Sequence, residues 1–92
     1  MNYLQLINDM EEIARQLSVQ LRYEKGDFEG GYCIIKNQKV VVINKRLPDG
    51  RKASALAQAL SEYGIETTFV KPNVRAYIED EVAKAAKGKA SE

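Results

Sequence analysis

The hydrophobic period of this chain changes from one segment to the next, and that pattern constrains its fold more than any bulk property. Near the N-terminus Tyr3, Leu6, Ile7, Met10, Ile13, Ala14 and Leu17 recur at three- and four-residue steps, one stripe of a helix over about 2–17. Asn2 is a suitable N-cap, and Asp9, Glu11, Glu12 and Arg15 fall on the opposite side. From Val19 the period is two. Val19, Leu21 and Tyr23 alternate with Gln20 and Arg22, which predicts a half-buried strand near 19–23. A loop punctuated by Gly26, Gly30 and Gly31 follows. Two β-rich runs, Tyr32 to Lys36 and Lys39 to Asn44, then flank Asn37-Gln38 and predict a tight hairpin over 32–44. Asn37 tolerates the left-handed backbone such a turn needs. With that loop Ile35 faces Val40, Cys33 faces Val42 and Tyr32 faces Ile43. Both faces are apolar, so the hairpin is expected to be central and covered, at least in part, on both sides.

The second half repeats the logic. Leu47-Pro48-Asp49-Gly50 is a turn, with Asp49 placed to cap a helix over about 50–63. Ala53, Leu56, Ala57, Leu60 and Tyr63 form its apolar stripe, and Gly64 stands where a left-handed cap is expected. A further strand is expected over 65–70, with Ile65, Thr67 and Phe69 on one side. Pro72 suits the first turn of a third helix, over about 72–87, whose face is Val74, Tyr77, Ile78, Val82, Ala85 and Ala86. Glu79-Asp80-Glu81 reads as the wet side of that helix, and 88–92 as a frayed tail. The order α-β-β-β-α-β-α predicts an α+β fold: a small, mostly antiparallel sheet packed with three helices in a single domain, 1–87.

Composition narrows the function. The chain has 92 residues, which suits one domain with a modest core. Its 14 basic and 13 acidic residues leave a net charge of +1, against the basic excess of a dedicated nucleic-acid binder. The single Cys33 cannot form an internal disulfide, which favours a reducing compartment. The first ten residues lack the pattern of a signal peptide, and no apolar run is long enough for a bilayer. The expectation is a cytoplasmic protein with no membrane partner.

One stretch resembles a known family. Val41-Val42-Ile43-Asn44, a short loop, Arg51, and then Leu56-Ala57-Gln58-Ala59-Leu60-Ser61-Glu62-Tyr63 resemble the core of the ImmA/IrrE-type zinc peptidases. In that family a hairpin ends in an Ile-Asn-like pair, and a loop with basic residues leads into a helix reading roughly Leu-Ala-His-Glu-Leu-Gly-His. The framework agrees at Leu56, Ala57 and Leu60, with small Ser61 in the glycine position. The chemistry departs from it. Gln58 and Glu62 stand at the two zinc-histidine positions and Ala59 at that of the general-base glutamate. Two histidines four apart hold one metal from one helix face, whereas a glutamine is a poor zinc ligand. The chain contains no histidine at all. The resemblance, which covers about residues 24–66, implies a degenerate scaffold without its zinc site. The alternative is a core helix whose leucines simply pack.

Other candidates carry less chemistry. Glu24, Asp27 and Glu29 lie in the glycine-bearing loop and could offer oxygen ligands, but they lack the regular spacing and closing glutamate of a calcium loop. Cys33 has no histidine to activate it and sits among apolar strand residues. Lys45, Arg46, Arg51 and Lys52 bracket the turn before the second helix, whose N-terminus would add partial positive charge for an anion. From Lys36 to Arg75 there are eight basic residues and three acidic ones. Five tyrosines suit interfaces where one end stays wet. Together these features describe a non-catalytic binding or regulatory domain that needs no cofactor. It works with a protein partner or with itself, as a homodimer, through the turn at 46–52 and the loop at 24–31. The alternative function is a weak nucleic-acid or phosphate-ligand binder using the basic turn 45–52.

Overall fold

The computed structural model describes residues 2–28, 30–65 and 68–90, with Cys33 and 87–90 described for their backbone alone. It is an α+β fold of three helices and, among the described residues, three strands: α1 (Tyr3–Gln16), β1 (Gln20–Glu24), β2 (Gly30–Ile35), β3 (Gln38–Asn44), α2 (Asp49–Ser61) and α3 (Pro72–Ala90). Asn2 caps α1, its Oδ1 accepting from the Gln5 amide at 3.1 Å. The helix ends with Ser18 in a left-handed conformation, φ 58°, and the Val19 amide donating to the Ala14 carbonyl at 2.8 Å. Leu6, Ile7, Met10, Ile13 and Ala14 are buried. The N-cap position of α2 is Pro48, without a side-chain cap bond, and Asp49 stands inside the first turn rather than at the cap. Gly64, φ 75°, occupies the left-handed position expected after α2.

The sheet order is β1-β3-β2. β3 is the centre; β2 pairs with it antiparallel and β1 parallel. The sheet is therefore mixed rather than mostly antiparallel. The cause is the chain path: from the end of β1 the chain passes the C-terminal end of β3 to reach β2 at the far edge. Asn44 holds the described part of this crossing. Its Nδ2 donates to the carbonyls of Gly26 (2.9 Å) and Phe28 (2.7 Å), and its Oδ1 accepts from the Arg46 amide at 3.0 Å. Asn44 is buried, and this network satisfies its amide.

The hairpin differs from expectation in register. The turn residues are Lys36 and Asn37, both left-handed (φ 50° and 66°), so Ile35 pairs with Gln38, Cys33 with Val40, Tyr32 with Val41 and Gly30 with Ile43. Two positive φ values in a two-residue loop mark a type I′ turn. The slip is two residues, which leaves every side chain on its expected face. It also puts Gly30 where α2 comes closest. A Cβ there would lie 2.9 Å from the Ile43 Cδ1, 3.1 Å from the Val42 carbonyl and 3.3 Å from the Ala55 Cβ. In the expected register Tyr32, with its ring, would stand opposite Ile43 instead.

Only one sheet face is covered by helices. The core cluster takes Leu6, Ile7, Met10 and Ile13 from α1, Leu56, Ala57 and Leu60 from α2, and Val74 and Ile78 from α3. From β3 it takes Val41 and Ile43, and not Val40 or Val42. The opposite face has no helix on it and shows exposed Gln20, Arg22, Ile35 and Gln38 around a buried Val40 and a half-buried Val42. β2 is therefore an edge strand rather than a central one, whereas β3 is covered by helices on one face and buried at Val40 on the other. The described residues of 65–70 are not a strand either. Ile65 is buried in a single tight turn, and Thr68, Phe69 and Val70 run irregularly to α3; Glu66 and Thr67 lie outside the described residues. Phe69 points out, at 77% exposure. Alternating residue types over so short a run fit an irregular connector as well as a strand. On α3, Glu81 is buried rather than wet, with the Lys84 ammonium 3.1 Å from its carboxylate. Among the described residues no helix is long and apolar enough to cross a membrane.

Candidate functional site

A groove of about 320 Å³ runs between α2 and the edge strand β2. Its strand wall is Gly30, Gly31 and Tyr32, and its helix wall is Arg51, Ser54, Ala55, Gln58, Ala59 and Glu62. The helix residues recur at three- and four-residue steps, so they form one stripe beside the core-facing stripe of Ala53, Leu56, Ala57 and Leu60. Ala55 and Ala59 give the groove an apolar floor, and Arg51, Ser54, Gln58 and Glu62 a polar rim. The Gln58 Nε2 donates to the Ser54 Oγ at 3.1 Å. The far end is fixed by Tyr63, whose hydroxyl donates to the Val40 carbonyl at 3.1 Å. Tyr32 meets that ring edge-on, with centroids 5.6 Å apart at 80°, and the Lys39 ammonium stands 5.8 Å from its centre.

Gln58 and Glu62 thus share one wall, as their four-residue spacing requires, and both face an open groove rather than the core. Ala59 lies between them and is buried. No group of three or more His, Cys, Asp or Glu able to hold a metal exists among the described residues. The arrangement offers a shaped channel with hydrogen-bonding groups along its rim.

The two surface candidates are neighbours. The Lys45 amide donates to the Glu24 carbonyl at 3.0 Å, and Asn44 ties the loop at Gly26 and Phe28 to the turn at Arg46. Glu24 pairs with Arg22 at 2.6 Å and Asp27 is exposed; Glu29 lies outside the described residues. Lys45, Arg46 and Arg51 are exposed, Lys52 is half-buried, and Arg51 alone of the four lines the groove. The Tyr3 ring packs beside the first turn of α2, 3.3 Å from where a Cβ on Gly50 would lie.

The outer edge of β2 is the feature that sequence reasoning missed. Ile35 and Gln38 flank the turn and form the hydrogen-bonded pair that closes such a hairpin. Backbone groups of Gly31, Cys33 and Ile35 therefore face β3, and those of Gly30, Tyr32 and Ile34 face away from it. Tyr32, Ile34 and Ile35 are all exposed, Ile34 at 67%. The strand carries no charge, whereas the other edge, β1, carries Arg22 and Glu24. The available signal was the run Gly30–Ile35 with no lysine or glutamate in it. It reads equally as a buried central strand.

Elsewhere two phenols are strongly perturbed. Burial, and then the Glu11 carboxylate that accepts its hydroxyl at 2.6 Å, push Tyr23 far above the usual tyrosine range. Burial, and then the charge of Glu81, raise Tyr77 to about 12. Comparison with known proteins gives no match to this chain among family models, curated proteins or solved structures.

Proposed function

We propose that this chain is a non-catalytic, cytoplasmic binding module that takes up an extended protein segment along β2, over the groove beneath it. One observation carries the reading: an uncharged edge strand with outward-facing backbone groups lies beside a groove with an apolar floor and a polar rim. An extended segment adding to β2 would gain main-chain hydrogen bonds from Gly30, Tyr32 and Ile34. Its alternate side chains would reach the groove, where Ala55 and Ala59 favour apolar groups and Gln58 and Glu62 select polar ones. The likeness to the zinc peptidase scaffold supports the same reading, with Gln58, Ala59 and Glu62 serving as groove wall in place of metal chemistry. The function needs no cofactor.

Selection from a displayed peptide library tests the proposal. Peptides with alternating apolar residues are expected to enrich, and their affinity to fall about tenfold or more for Ile34→Pro. Residue 34 faces away from β3, so proline there removes an outward donor and spares the ladder. A library that yields no binder, or binders indifferent to Ile34→Pro, would overturn it.

A further inference from the structure

We draw no further inference here: the strongest candidate, the exposed apolar patch of Tyr32, Ile34 and Ile35 on β2 beside the groove along α2, belongs to the site already described, and nothing in the structure shows which partner covers it.

Discussion

Three residues hold backbone or polar arrangements that most side chains could not. Ser18 sits at a left-handed position that costs a non-glycine residue about 1–2 kcal/mol. Ser18→Gly is expected to stabilise the fold by about 0.5 kcal/mol after the extra freedom of the unfolded glycine is subtracted, read by urea denaturation. Gly64→Ala, at φ 75°, is expected to cost about 1–2 kcal/mol in the same assay. Asn44 matters more, because Gly26, Phe28 and Arg46 all bond to its amide. Asn44→Leu strands two carbonyls and one amide, and the expected loss is about 2–4 kcal/mol. Tyr77 sets a pH dependence. Its phenol titrates near 12 in the fold, against about 10 when unfolded, so the neutral form is favoured on folding. Stability is full below pH 10 and falls as pH rises towards 12; Tyr77→Phe is expected to flatten that fall in thermal melts recorded across the range.

At the level of elements, the helices were legible and the sheet only in part. The stripe of Leu6, Ile7, Met10 and Ile13 repeats over enough turns to specify both a helix and its buried face. The hairpin was legible as a hairpin, but its register depended on where Gly30 meets α2, a tertiary contact with no local signature. Edge or centre was not legible either, since Gly30–Ile35 has the composition of a covered strand and the exposure of an open one. The run at 65–70 lacked a partner strand to decide it among the described residues. In the site, the four-residue spacing of Gln58 and Glu62 puts both on one side of α2, but that this side lines a groove was not legible from the spacing. The opposite wall was missed with the edge. The turn gives a prediction of its own. Lys36 and Asn37 both hold positive φ, and Asn-Gly is the preferred pair for this turn. Replacing them with Asn-Gly is expected to raise the melting temperature by a few degrees, through a gain of about 1 kcal/mol, without changing the sheet order.

At the scale of the molecule, helices cover one face of a three-stranded sheet and leave one uncharged edge of it open among the described residues. A domain this small buries a limited core and gains in proportion from any surface that a partner covers. The account stands on the outer edge of β2 being an unfilled binding surface, and residue-resolved amide hydrogen exchange measures that directly. In dilute protein Gly31 and Ile35 are expected to be protected by β3 while Tyr32 and Ile34 exchange at nearly the rate of free chain. With a selected peptide bound, Tyr32 and Ile34 are expected to become protected as well. Tyr32 and Ile34 amides that exchange equally fast under both conditions would contradict it.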